Sequence, residues 1–368
     1  MLKILIEGNL DTLHSYSLVN RFQIIELAKN YKNKVKIYLK NISNKWKSHS
    51  QYINESQHII KSLEIYNNNN KIDVIYRITY PINIISNNLN IPIFVFLTVE
   101  SDFNKIKFKN NIKPTKKYLE KNNIHLITPS TWCFNILKQH NLDSSIIPHG
   151  IDTNIFYKIK KDKINLLKTK MNIMNKYIYL HIGACTDNKG IFFLLKAFSK
   201  LIIKKPNSIL IIKGQDILYH SSILLNNIIN KFPNSKLLRK YILIINKPLS
   251  FECINVLYNI SDCYVSPYLA EGFNLPCLEA YSLGLDIICS NGGPTDDFIK
   301  TKYKIITTLQ NNILQPDWND LYKHMISVQN NNKNNNKNKF LTWKNIIDKL
   351  LQLINNKLNY LNKKKIYL

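Results

Sequence analysis

Short β-branched runs alternate with helix-length amphipathic stretches along most of this chain, and that alternation leaves few folds open. LKILIE (2–7), VKIYL (35–39), DVIYRI (73–78), IPIFVFLT (91–98), IHLIT (124–128) and SSIIPHGID (144–152) read as strands. After the first of them, SYSLVNRFQIIELAKNY places Leu18, Phe22, Ile25 and Ala28 at helical spacing. STWCFNILKQH reads as a second helix, opened by Ser130 or Thr131 as its cap. Strands separated by helix-length segments imply right-handed crossovers and a parallel sheet.

The polar stretch FYKIKKDKINLLKTKMNIMNK interrupts this rhythm, which then restarts. IYLHIG (178–183), SILIIK (208–213), YILIIN (241–246), DCYVSP (262–267), DIICS (286–290) and YKIIT (303–307) read as further strands. The fold class is therefore α/β, with two Rossmann-like doubly wound domains over residues 1–165 and 172–330. NNNKNNNKNK (330–339) is low in complexity and reads as a surface loop. Residues 340–368 read as a closing amphipathic helix or pair of helices, expected to pack back toward the N-terminal domain. Ligands of open parallel sheets bind beyond the carboxyl ends of the strands, so the expected site is a central cleft faced by both domains.

At 368 residues and 45% hydrophobic composition the chain can build two cores. Its net charge of +27 raises the question of nucleic acid or membrane. The excess is nearly all lysine, spread among Asn and Ile, while arginine, which suits bidentate base and phosphate contacts, is scarce. Specific nucleic-acid readout is therefore not expected, although a basic surface still favours anionic ligands. Cys133, Cys185, Cys253, Cys263, Cys277 and Cys289 include no CxxC pair and read as reduced thiols. MLKILIEG starts directly on a strand pattern, and IPIFVFLTV is about half as long as a membrane span requires. The expectation is a soluble cytoplasmic protein, with peripheral membrane contact left open.

EGFNLPCLEA (271–280) carries the most chemistry. Pro276 suits the first turn of a helix, where its missing N–H costs nothing. Backbone N–H groups at Phe273, Asn274 and Leu275 would face the open end, and the helix dipole there favours a pyrophosphate. Glu279, one turn inside, can accept hydrogen bonds from the vicinal hydroxyls of a ribose. Glu271, on the far side of the turn, is placed for a sugar joined to the phosphate. That combination describes a nucleotide-sugar site.

EGFNLPCLEAYSLGLDIICS resembles the glutamate–seven residues–glutamate signature of the retaining glycosyltransferases of family 4, which have the GT-B fold. IPHGIDTNIF, HIGACTDNKGIFFLLKAFSKL and ITPSTWCFNIL resemble further segments of that family, in family order. GNLDTLHSYSLVNRF and GGPTDDF resemble one of its branches. The likeness covers most of residues 1–310. It implies that Glu271 touches donor-sugar hydroxyls, Glu279 the ribose, and the backbone near Phe273–Leu275 the sugar and phosphate. It also implies that Lys189 binds the diphosphate, where an ammonium stabilises the charge developing on the leaving group. Where the family carries an arginine after the glycine matching Gly183, this chain has Ala184. The phosphate clamp is one charge short unless Lys213 or another lysine reaches in.

In the N-terminal half, Gly8 and Asn9 close the first strand, where a ligand can approach the backbone. His14, Arg77, Glu100 and Asp102 stand near strand ends on the same logic, and acceptor contacts are expected from this set. His149 reads as structural, and Asp296 and Asp297 as a cap after a glycine turn. No DxD pair is found where a metal-dependent nucleotide-sugar site would need one, so the expectation is no metal and no cofactor beyond the nucleoside-diphosphate sugar, UDP- or GDP-linked. The implied activity is retaining, metal-independent sugar transfer to a glycan, lipid-linked, protein or small-molecule acceptor. Rival readings are a GT-B protein that binds sugar nucleotides without turnover, a basic nucleic-acid-binding protein, and a sugar epimerase.

Overall fold

The computed structural model describes residues 1–368 apart from 11, 13, 43–56, 88–90, 332–337 and 367–368, and apart from the side chains of 364–366. Contacts divide the chain into two units, Met1–Asp152 with Leu341–Leu368, and Thr153–Phe340.

The first unit is built on β1 (Leu2–Gly8), β2 (Val35–Asn41), β3 (Glu64–Ile65), β4 (Val74–Ile78), β5 (Ile93–Phe96), β6 (Ile124–Thr128) and β7 (Ser144–Ile146). Its helices are α1 (Ser15–Asn30), α2 (Gln57–Lys61), α3 (Lys116–Lys121) and α4 (Thr131–Gln139). The seven strands form a parallel sheet in the order β3-β2-β1-β4-β5-β6-β7. β1, β4 and β5 bury both faces, as strands covered by helices on either side must. Ser130 caps α4 by accepting from the Cys133 N–H.

In the second unit α5 (Lys161–Lys170), β8 (Tyr177–Ile182), α6 (Ile191–Lys204), β9 (Ser208–Lys213), α7 (Asp216–Tyr219), α8 (Ser221–Asn230), α9 (Ser235–Lys240) and β10 (Ile242–Ile245) come first. There follow α10 (Phe251–Ile260), β11 (Cys263–Ser266), α11 (Leu275–Ser282), β12 (Asp286–Ser290), β13 (Lys304–Ile305), β14 (Thr307–Gln310), β15 (Ile313–Pro316) and α12 (Trp318–Asn330). A parallel six-stranded sheet runs β10-β9-β8-β11-β12-β13. α6 buries Ile191, Leu194, Leu195, Phe198, Leu201 and Ile202, one helical stripe, against the sheet and α12.

Two details differ from the sequence reading. Residues 153–165, assigned from the sequence to the N-terminal domain, belong to the second unit. Asn255 and Asn259 of α10 both donate to the Tyr157 carbonyl, and Asn259 accepts from the Ile159 N–H. The run 303–307 is two elements rather than one strand, because β14 leaves the sheet to pair with β15 as an antiparallel hairpin. Asn311 and Asn312, both at positive φ (51° and 57°), form its two-residue turn. The 330–339 stretch read as a loop lies mostly outside the described residues.

The chain ends in one helix, α13 (Trp343–Ile366), which returns to the first unit. Trp343 stacks on Phe22 of α1 at 5.4 Å, and the Tyr31 hydroxyl donates to Asp348 at 2.6 Å.

Candidate donor site of the second unit

The strand order of the second sheet reverses direction at β8, which lies between β9 and β11. The carboxyl ends of β8 and β11 therefore border the crevice in which doubly wound sheets bind ligands. The ladder between them ends at Leu180 and Tyr264, although β8 continues to Ile182. Side chains bridge the split: the Tyr264 hydroxyl donates to the Ile182 carbonyl at 3.1 Å, and His181 Nδ1 lies 2.8 Å from the Val265 carbonyl.

Two loops leave these strand ends and lock together. The turn Asp187–Lys189 follows β8, and its Asn188 carbonyl accepts from the N–H groups of Leu269 and Ala270. Gly190 then caps α6 at φ 70°, with its α-carbon so close to the second loop that a Cβ would lie 1.8 Å from the Pro267 carbonyl oxygen. Only glycine suits both the conformation and the space. This contact brings the Lys189 ammonium within 2.6 Å of a Glu271 carboxylate oxygen. Both side chains are mostly buried, at 20% and 11% exposure, so their attraction is screened less than at an open surface.

α11 begins as the Pro276 position suggested. Asn274 caps it from the left-handed region at φ 77°, accepting from the Cys277 N–H through Oδ1 and donating to Ser266 through Nδ2. One amide thus joins the helix start to the end of β11. Phe273 is buried and stacks on Phe298 at 4.6 Å. Glu279 accepts from the Tyr258 hydroxyl at 2.6 Å through Oε2, and burial pushes its carboxyl up to about 7. Oε1 makes no hydrogen bond among the described residues.

Gly183 donates its N–H to the Lys213 carbonyl, placing Lys213 on the neighbouring strand end. The Lys213 ammonium is buried and donates to the Gly214 carbonyl, and desolvation lowers its pKa to about 8. The loop carrying Glu271 is braced from behind by the GGPTDDF segment, where Tyr268 and Thr295 share a buried hydroxyl contact of 2.8 Å. Asp296 accepts from the Gly292 N–H and pairs with Lys304 at 2.5 Å. Cys185 and Cys277 are buried packing residues.

Lys189, Glu271, Gly183, Lys213, Phe273, Asn274, Leu275 and Glu279 thus all fall on the two switch-point strands, their neighbour β9, or the loops and helices that follow. Tyr258, His181 and Asn188 escaped the sequence reading. An aromatic on a helix face, a histidine inside an apolar strand and an asparagine in a polar turn carry no local signal of a site.

The N-terminal candidates are spread through the first unit. Burial encloses Arg77, whose Nε lies 2.5 Å from Glu7, with Nη1 donating to the Ile85 carbonyl at 2.5 Å. The reading of Arg77 as an acceptor contact met a guanidinium committed to the fold instead, because β1 and β4 set it beside Glu7 in the register of the sheet. At Gly8 the space a side chain would fill is taken by Asn20, whose amide nitrogen would lie 1.8 Å from a Cβ. Asn9 accepts from Thr12 and Ser17, and Asp102 caps the turn Phe103–Lys105. His14 caps α1 and stacks on Tyr80, while Glu100 is exposed. His149 is buried between Phe96 and Trp343, and desolvation lowers its pKa to about 3, a packing role.

Residues 163–341 match the family Glycosyl transferases group 1. An uncharacterized glycosyltransferase of Methanocaldococcus jannaschii, MJ1059, is 28% identical over 150 residues, which is 40% of this chain and 34% of that protein. The UDP-Gal:alpha-D-GlcNAc-diphosphoundecaprenol alpha-1,3-galactosyltransferase of Escherichia coli is 27% identical over 179 residues, 46% of this chain and 42% of that protein. The matches thus span less than half the length of either relative. Among solved structures, Anabaena HepE in complex with UDP and glucose superimposes with a TM-score of 0.69 at 13% identity, covering 96% of this chain and 100% of that one. The chain therefore has the GT-B fold, and its residues 163–341 resemble a Glycosyl transferases group 1 domain.

Proposed function

We propose that the protein is a retaining glycosyltransferase that moves a sugar from a nucleoside-diphosphate donor to an acceptor hydroxyl without a metal ion. The observation that carries this reading is the Lys189–Glu271 pair at the switch point of a sheet in a segment that resembles a Glycosyl transferases group 1 domain. Lys189 supplies a cation for the diphosphate, Glu271 a carboxylate for the donor-sugar hydroxyls, and Glu279 the oxygen left over by Tyr258 for the ribose. The start of α11 adds backbone N–H groups at Phe273–Leu275 and the positive end of its dipole.

In the same-face reaction, the bond between the sugar's anomeric carbon and the diphosphate oxygen breaks as the bond to the acceptor oxygen forms on that face. The acceptor hydroxyl passes its proton to the departing phosphate, so no enzyme carboxylate need act as nucleophile. The chain contributes position and charge. Lys189 does most when the leaving diphosphate gains charge, and Glu271 orients the sugar that remains.

HepE carries UDP and glucose in its structure, and the Escherichia coli relative is named for a UDP-sugar donor and a lipid-linked acceptor. These support a UDP-linked donor and a diphospholipid-linked or glycan acceptor here. Incubating the protein with radiolabelled UDP- and GDP-sugars and a lipid-linked acceptor, with released nucleotide and product anomer both scored, tests the reading. Retained anomeric configuration in chelator is the expected result. Inversion, a requirement for divalent cation, or no affinity for any sugar nucleotide would each defeat the corresponding part.

A further inference from the structure

His181 is 1% exposed, and its Nε2 makes no hydrogen bond among the described residues. Its other nitrogen faces the Val265 carbonyl, which can only accept, so Nδ1 carries the proton of the neutral ring. The ring stacks against Tyr264 at 6.3 Å with its plane tilted only 10°. That leaves Nε2 a bare lone pair at the point where β8 and β11 part. It is also directed at the crevice floor: a Cβ on Gly183 would lie 3.4 Å from Nε2, with the Lys189 side chain 3.9 Å from the same point.

A buried polar atom without a partner is costly, and this one lies at the floor of a site where the family resemblance implies an arginine and the chain has Ala184. Resting on the donor-site reading above, we propose that His181 contacts the donor diphosphate and takes up a proton at Nε2 as that diphosphate enters. The physical reason is the sign of the charge. A lone pair repels a phosphate oxygen, whereas an Nε2–H donates to it and adds the positive charge that Ala184 does not supply. Desolvation outweighs the hydrogen bond to the Val265 carbonyl and, reinforced by the nearby Lys189 ammonium, lowers the ring's pKa to about 4. An arriving dianion reverses that balance by offsetting the Lys189 charge and stabilising the imidazolium. The Tyr264 ring covers one face of the imidazole, Glu271 is paired with Lys189, and Lys213 lies opposite Ile182 rather than His181 in the sheet register.

The test uses protein labelled with ¹⁵N in its histidines and UDP-glucose as the probe, since its diphosphodiester stays fully ionised from about pH 5 to 8. Affinity alone would mix His181 with Glu279, which releases a proton in the same interval; the imidazole nitrogen shifts report on the ring itself. At about pH 6, saturating UDP-glucose should convert one histidine from the neutral Nδ1–H form to the doubly protonated form. That signal should be missing from His181→Phe, which keeps the stack on Tyr264, and from His181→Gln, and both should bind UDP-glucose about tenfold more weakly. If the wild-type protein binds UDP-glucose while every histidine keeps its charge state, the inference is overturned and the donor-site reading stands. If neither UDP-glucose nor GDP-mannose binds, both fall together. Because the decisive spectrum is that of the wild-type protein, the result does not depend on the variants folding.

Discussion

The ammonium of Lys189 and the carboxylate of Glu271 lie 2.6 Å apart and join the loop after β8 to the loop after β11. Each provides countercharge for the other. On the proposed reading, a diphosphate would draw part of the Lys189 charge away from Glu271 and leave that carboxylate for the hydroxyls of the attached sugar. Binding and sugar orientation would then be coupled through one ion pair.

Exchanging these two residues should therefore separate binding from turnover. Glu271→Gln is expected to lower kcat by about 10²-fold while nucleotide affinity changes less than about threefold, in line with the loss of an interaction made in the transition state. Lys189→Met should weaken UDP binding by about 1.5–3 kcal/mol, the usual range for a hydrogen bond to a charged group. Calorimetry with UDP, paired with steady-state transfer, reads both; equal losses for Glu271→Gln would remove its sugar-side role.

Glu279 should make stability and nucleotide affinity depend on pH in opposite senses. Its carboxyl is raised from 4.5 to about 7 by burial, so between those values the folded chain holds a proton that the unfolded chain has released. Stability should fall as pH rises through that window and level off above it. UDP affinity should rise across the same window, because ribose hydroxyls donate to the carboxylate. Glu279→Gln should flatten the stability change in urea titrations at about pH 5 and 8. Glu279→Ala should weaken nucleotide binding by about 1.5–3 kcal/mol; unchanged affinity would reassign the ribose contact.

Tyr258→Phe leaves the Glu279 oxygen without its buried hydroxyl donor. A loss of about 1–3 kcal/mol in unfolding free energy is expected, and thermal unfolding checks it.

Two glycines of the site should respond differently to the same substitution. Gly190→Ala forces a methyl group onto the Pro267 carbonyl at a positive φ of 70°, so unfolding should become easier by at least about 2 kcal/mol. Gly183→Ala meets its nearest neighbour, His181 Nε2, at 3.4 Å and has room to fold. Its methyl group would instead occupy the phosphate seat, so UDP affinity should fall with little change in melting temperature. A matched loss of stability in both variants would place Gly183 in the scaffold rather than the site.

Arg77→Leu should act on folding rather than on acceptor binding. Among the described residues it leaves Glu7, 5% exposed, with only the Lys40 ammonium at 3.2 Å, and removing one partner of a buried pair costs about 3–5 kcal/mol. Denaturant unfolding checks this, and an undiminished midpoint would return Arg77 to the acceptor-side candidates.

Most of the architecture was legible because strand and helix periods differ and most interior strands here have an apolar centre. IHLIT, SILIIK and DIICS coincide with β6, β9 and β12. The hairpin of β14 and β15 was not, since its exposed faces follow no single period and its turn rests on two asparagines at positive φ. EGFNLPCLEA was legible for a similar reason. A cap, a proline in the first turn and two carboxylates lie within ten residues, so their relationship is local.

Local order along the chain, then, determined two doubly wound sheets and a helix start suited to phosphate, because propensity and hydrophobic period act between near neighbours. Only the tertiary structure decided that Lys189 meets Glu271, that Tyr258 holds Glu279, that Arg77 is bound to Glu7, and that His181 stands beneath Gly183. Those pairs come from different strands and helices, and strand order and register, set by packing of the whole sheet, choose which side chains share a low-dielectric space.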